Sequence, residues 1–154
     1  MTLLTRTDAN LLRIAYEEAK AGDDEGGCRS AALWGRKSAS SHAAANRRVQ
    51  QGDPIAHGEM DCLRKAGRQR SYRRMTLYTS LSPCMMCTGT IVQFGIPRVV
   101  VGEARNFPGD PDLLRRHGVQ VIVADDRRLH CADAALHPRE AGAVGRGHRG
   151  RALT

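Results

Sequence analysis

The chain has 154 residues, 41% of them hydrophobic, with a formal net charge of +8. That length suits one domain with a full core and is too short for two ordinary ones. No apolar run approaches the roughly 20 residues of a membrane span, and Met1 to Arg6 lacks the apolar centre of a secretion signal, so the expected compartment is the cytoplasm.

The five cysteines, at 28, 62, 84, 87 and 131, give one close pair and no disulfide framework, which suits a reducing compartment. The positive charge is clustered. Residues 28 to 48 carry five basic and no acidic side chains, and residues 127 to 154 carry six basic and two acidic ones. The remainder holds 13 basic and 14 acidic residues, so the body of the chain is not a phosphate-tracking surface, and neither a nucleic-acid partner nor a membrane is expected.

In chain order, Asp8 can cap a helix over about 9 to 21, with Leu11, Leu12, Ala15 and Ala19 on one stripe and Gly22 as its stop. Residues 23 to 27 read as a loop and Ala31 to Trp34 as a short strand. Residues 35 to 45 show neither alternation nor a helical stripe, which gives them no firm structure. A polar connection from Asn46 to Pro54 leads to a helix over about 56 to 66, closed by Gly67, with His57 and Glu59 in its first turn.

After the basic turn from Arg68 to Arg74, Met75 to Thr79 has the β-branched and aromatic content of a strand. Ser82-Pro83 opens a helix over about 84 to 94, ended by Gly95. Cys84 and Cys87, at i and i+3, share a face on its first turn, where the helix N-terminus lowers thiol pKa. Arg98 to Gly102 and Val119 to Val123 read as strands, with a short helix near 113 to 117 between them. The alternation predicts an α/β layered domain with helices on both sides of a central sheet.

His57-Gly58-Glu59 and Pro83-Cys84-Met85-Met86-Cys87 carry the chemistry. Taken singly, each is weak: a lone histidine is usually a core residue, and Cys-x-x-Cys also serves redox pairs and structural zinc sites. In this order they match H-x-E followed by P-C-x-x-C, the signature of zinc-dependent nucleobase and nucleoside deaminases. Three soft or borderline ligands plus a proton carrier are the protein groups that a zinc-activated water needs.

From Asn46 to about Asp126 the chain resembles the small zinc-dependent cytosine deaminases of fungi and bacteria, within the cytidine deaminase superfamily. The likeness is carried by His57-Gly58-Glu59, by the run from Leu77 to Gly89, by Gly95-Ile96-Pro97-Arg98 and by Val101-Gly102-Glu103. Residues 9 to 27 match more loosely, through Ala15 to Ala19 and Glu25-Gly26-Gly27.

The resemblance implies a three-layer α/β/α fold with a mixed central sheet, and a homodimer with one catalytic zinc per subunit. His57, Cys84 and Cys87 would be the protein ligands and Glu59 the catalytic proton carrier. Asn46 would hydrogen-bond the pyrimidine ring, the carbonyl end of Leu81-Ser82 would meet the substrate amino group, and Phe107 would wall the base pocket. The implied reaction turns free cytosine and water into uracil and ammonia, a step of pyrimidine salvage. A guanine or tRNA adenosine deaminase, or a zinc-binding fold without activity, remain the alternatives.

Two segments of this single domain depart from the family pattern. Residues 28 to 45 replace most of an apolar hairpin, and residues 127 to 154 contain no Trp, Phe or Tyr where the family brings an aromatic lid and an acid over the base. An Arg, Ala, Gly and His excess without periodicity is what a shifted reading frame in a GC-rich gene would give. Without a lid the pocket is expected to be wetter, so zinc binding is expected to survive better than turnover.

Overall fold

In a computed structural model that describes residues 4–28, 30–36 and 39–126, helix α1 (Arg6–Asp24) starts from Thr5. The Thr5 hydroxyl accepts a hydrogen bond from the Asp8 amide at 3.1 Å, and the Asp8 carboxylate accepts one from the Thr5 amide at 2.9 Å, which closes a capping box. Asp8 is therefore the third helical residue and not the cap. Its carboxylate is also occupied from the sheet side: Arg98 donates at 2.7 and 2.9 Å and the Tyr78 hydroxyl at 3.0 Å. Gly22 lies inside the helix, which ends at Asp24, two residues beyond the expected stop.

The next elements are β1 (Ala31–Arg36) and β2 (Ala39–Ala45), paired antiparallel with Ala31 opposite Ala45. The segment without a legible pattern thus supplies an edge strand. Small side chains explain why β2 gives no alternation: Ala44 packs on one face and Ala45 on the other, and both are buried. The polar connection contains one helical turn, α2 (Arg48–Gln51).

Helix α3 (Gly58–Ala66), strand β3 (Thr76–Leu81), helix α4 (Met85–Gln93), strand β4 (Arg98–Glu103), helix α5 (Pro111–Arg116) and strand β5 (Gln120–Val123) follow, each within a few residues of its expected place. The sheet order is β2-β1-β3-β4-β5. The β2-β1 and β1-β3 pairs are antiparallel and the β3-β4 and β4-β5 pairs parallel, so the sheet is mixed, as expected.

Helix α1 covers one face, placing Leu11, Ile14 and Ala15 on Leu33, Tyr78 and Val100. On the opposite face, Cys62 and Ala66 of α3, Ile91 of α4 and Leu114 of α5 pack on Ala32, Trp34, Leu77, Val99 and Val101. The result is three layers. Burial on both faces accounts for the unbroken apolar run in β4.

This topology gathers the site at one end of the sheet. Strands β3 and β4 end there, at Leu81 and Glu103, while antiparallel pairing brings the end of β2 and the start of β1 to the same edge. Helix α3 also begins there, with Gly58 pressed on β1: a Cβ on Gly58 would lie 2.8 Å from the Ala31 Cα. Only a glycine permits that approach. No helix among the described residues is long and apolar enough to cross a membrane. Cys131 and the whole of the departing segment 127 to 154 lie outside the described residues.

Candidate active site

Two helix entrances supply three donor atoms. His57 is the N-cap of α3, and Cys84 is the N-cap of α4 with Cys87 one turn in. Such positions put the side chains ahead of the first helical turn, where backbone amides favour negative charge. Cys84 Sγ lies 3.5 Å from His57 Nδ1, Cys87 Sγ lies 3.7 Å from the same nitrogen, and the sulfurs are 3.6 Å apart.

That triangle has the size of a zinc site. Tetrahedral angles with Zn–S of about 2.3 Å and Zn–N of about 2.05 Å require sulfurs about 3.8 Å apart and sulfur and nitrogen about 3.6 Å apart. Each observed edge is within 0.2 Å of the corresponding value. The donor set also fits chemically, two thiols and an imidazole being ligands that zinc prefers, and a tetrahedron held by three leaves one corner for water or substrate. A hydrogen bond from Cys87, aided by His57 and opposed by burial, holds the Cys84 thiol down to about 3, while Cys87 is pushed up by the same bond and by burial.

Glu59, two residues after His57 and buried, stands beside this triangle without joining it. Burial, with a contribution from the nearby Cys84 charge, raises its carboxyl above the ordinary carboxylate range. Thr79 Oγ1 is 3.3 Å from Glu59 Oε1 and closer, at 2.8 Å, to the Leu81 carbonyl oxygen. A buried carboxyl with raised proton affinity, standing next to a metal site, is suited to moving protons.

A pocket of about 380 Å³, counted to its open mouth, lies over the site and is lined by Ser30, Asn46, Arg48, His57, Glu59, Leu81, Ser82, Cys84 and Phe107. Every residue singled out in the sequence lines it except Cys87, which sits behind Cys84 as the third donor. Asn46 is buried and held from two sides: its Oδ1 accepts from the Arg48 amide and its Nδ2 donates to the Ser30 hydroxyl, each at 3.1 Å. Each group keeps capacity for one further bond.

Phe107 reaches the pocket on the loop after β4. The buried carboxylate of Glu103 organises that loop, accepting from the Arg105 amide at 2.7 Å, the Asn106 amide at 3.1 Å and the Asn106 side chain at 3.3 Å. At its far end Gly109 crosses the Ser82-Pro83 backbone, and a Cβ there would lie 2.5 Å from the Pro83 carbonyl oxygen.

Ser30 and Arg48 are the lining residues that sequence reasoning missed. Their signal was faint: both fall in the basic, weakly patterned segment, and Arg48 reads as part of a solvated connection. Of the other cysteines among the described residues, Cys28 Sγ accepts from Nη2 of the pocket-lining Arg48 at 3.4 Å, while Cys62 lies in the core. The Cys62 thiol, fully buried, donates to the His42 carbonyl at 2.7 Å, and burial pushes its pKa far up.

Residues 5–103 match the cytidine and deoxycytidylate deaminase zinc-binding region. The chain is 38% identical over 133 residues to a cytosine deaminase of Candida albicans, covering 84% of this chain and 87% of that protein. It is 31% identical over 102 residues to a probable cytosine deaminase of Schizosaccharomyces pombe, covering 66% and 63%. Among solved structures, the guanine deaminase of Nitrosomonas europaea superposes with a TM-score of 0.71 at 21% identity over 93% of this chain and 87% of that one, a likeness of fold. With the zinc-sized donor triangle at the centre of the matched region, the chain belongs to the zinc-binding cytidine and deoxycytidylate deaminase family, hydrolases that act on carbon–nitrogen bonds.

Proposed function

We propose that this protein hydrolyses free cytosine to uracil and ammonia, as a cytoplasmic homodimer serving pyrimidine salvage. The observation that carries the reading is the placement of Glu59 beside three zinc-spaced donors at the floor of one small pocket. Identity to a cytosine deaminase over most of both chains supports the choice of base. Exposed apolar side chains at Val49, Ile55 and Met85 are surface that a second copy would cover.

In this reading His57, Cys84 and Cys87 hold the zinc. When bound, the metal supplies a Lewis acid that makes water acidic enough to react near neutral pH. Glu59 takes a proton from the attacking water and delivers it to ring N3 as the water oxygen bonds to C4. It then carries the remaining proton to the amine as the C4–N bond breaks and ammonia leaves. Atoms balance as cytosine plus water giving uracil plus ammonia.

Asn46 binds the far edge of the ring, the Leu81-Ser82 backbone receives the departing amino group, and Phe107 covers a face of the base. Each of these roles needs a single ring lying flat in the pocket. The test is a substrate panel of cytosine, 5-methylcytosine, cytidine, guanine, adenine and tRNA, paired with metal analysis. Uracil and ammonia from cytosine support the reading. Turnover of guanine or tRNA in place of cytosine, or tight zinc binding with no turnover of any, contradicts it.

A further inference from the structure

Thr79 breaks the pattern of its surroundings. Its pairing partners in the sheet are Ala32 of β1 and Val101 of β4, both apolar and fully buried, and Leu77 precedes it on the same face, the one that carries α3 and α4. A valine would fill this place with nearly the same volume and bring no polar atom into the core. Threonine places a hydroxyl there, in a residue only 1% exposed, and the hydroxyl has two neighbours.

Its Oγ1 donates to the Leu81 carbonyl at 2.8 Å and lies 3.3 Å from Glu59 Oε1. The first contact is local, two residues along the strand, and satisfies the group. The second reaches the first turn of α3 and the buried carboxyl beside the donor triangle.

We propose that Thr79 is a positioning residue for the reaction: its hydroxyl ties Glu59 to the Leu81 carbonyl, which holds the proton carrier and the receiver of the amino group in one frame. The proposal rests on the cytosine reading and deepens it by naming what aims Glu59.

Two other groups approach this carboxyl, its own backbone amide and the Cys87 thiol. As a zinc ligand Cys87 gives up its proton and has none to donate. The amide belongs to the same residue and fixes the carboxyl only relative to α3. The Thr79 contact relates it to β3, the strand that leads to the pocket-lining Leu81 and Ser82.

A threonine hydroxyl has one proton and two lone pairs. As the base that takes a proton from water, Glu59 is an acceptor, and so is the Leu81 carbonyl, so one proton serves two acceptors in turn. In the structure the shorter contact places it on Leu81. A 4-amino group arriving at that carbonyl brings a donor of its own, and the Thr79 proton is then free to turn to Glu59. Filling the amino subsite thereby completes the hydrogen bond that aims the carboxyl. An effect that follows binding acts on kcat more than on KM.

The test compares zinc-loaded native protein with Thr79→Val, which keeps the shape and removes the hydroxyl, and Thr79→Ser, which keeps the hydroxyl and removes the methyl. Steady-state kinetics on cytosine, expressed per bound zinc, are paired with melting temperatures that show each variant folded. Thr79→Val is expected to lower kcat about 10- to 100-fold, the size of one hydrogen bond to a charged group, with KM within about threefold of native. Thr79→Ser should keep kcat within about threefold, since the hydroxyl is retained. Added to Glu59→Gln, Thr79→Val should change kcat by less than about threefold, because the group it aims is already gone.

The opposite order, with Thr79→Ser slow and Thr79→Val like native, overturns the proposal and leaves Thr79 as packing. A loss confined to KM, or the full loss repeated in the Glu59→Gln background, overturns it too. Each of these outcomes leaves the cytosine reading intact. No turnover of cytosine by zinc-loaded native protein overturns both.

Discussion

Cys84 Sγ lies 3.5 Å from His57 Nδ1, although the two residues are 27 apart in sequence and open different helices. Neither sulfur–nitrogen contact is a strong hydrogen bond. The arrangement is explained by a cation at the centre of the triangle that Cys87 completes.

Removing one corner tests that explanation. Cys87→Ala, dialysed beside native protein, is expected to lose most of its zinc while native protein retains one ion per chain, as read by metal analysis. A ligand held at a thousandfold excess over its dissociation constant stabilises a fold by about 4 kcal/mol. Chelation should therefore lower the melting temperature of native protein and leave that of Cys87→Ala little changed. Full zinc occupancy in Cys87→Ala would contradict the assignment.

The ion pair between Asp8 and Arg98 ties the start of α1 to the start of β4, and both side chains are largely buried. Burial alone would raise the Asp8 carboxyl. Arg98, Thr5 and Tyr78 outweigh it and hold the group well below the ordinary carboxylate range. Because the folded-state pKa is depressed, this stabilisation is complete above about pH 4, the ordinary aspartate value, and is lost as pH falls toward the lower folded value. Asp8→Asn should cost about 3 kcal/mol near neutral pH, since it leaves Arg98 buried without its charge partner. The gap from native protein, measured by urea unfolding, should narrow as pH drops below 4. A gap constant with pH would contradict this account.

The loop that carries Phe107 is held at both ends, by Glu103 and by Gly109. Gly109→Ala adds a Cβ in the left-handed region, φ +55°, and directs it at the Pro83 carbonyl. Displacing the wall by a fraction of an ångström to an ångström should lower kcat/KM about 10- to 100-fold with zinc content unchanged. Glu103→Ala, which frees three loop donors, should act in the same direction. Activity equal to native in both variants would show that this loop does not shape the pocket.

The two halves of the zinc site were legible because their chemistry is local: a proline sets the start of α4, and i, i+3 spacing turns both thiols to one point. That His57 meets them depends on sheet order, yet the paired motifs carry that information. Other features are written in long-range contacts. Asp8 reads as a cap, yet the local box with Thr5 makes it the third helical residue, and its tie to Tyr78 and Arg98, 70 and 90 residues away, has no local signal. Strand β2 gives no period because residues such as Ala44 and Ala45 fit either face. Arg48 reads as a solvated charge, since nothing local shows that the residue lines a pocket.

The most direct measurement follows uracil and ammonia from cytosine with zinc-loaded native protein and with zinc-loaded Glu59→Gln. The account predicts equal amounts of the two products from native protein. It predicts a fall in kcat of about 10²- to 10⁴-fold in Glu59→Gln at undiminished zinc content. No uracil from fully loaded native protein, or the same rate from both proteins, would contradict it.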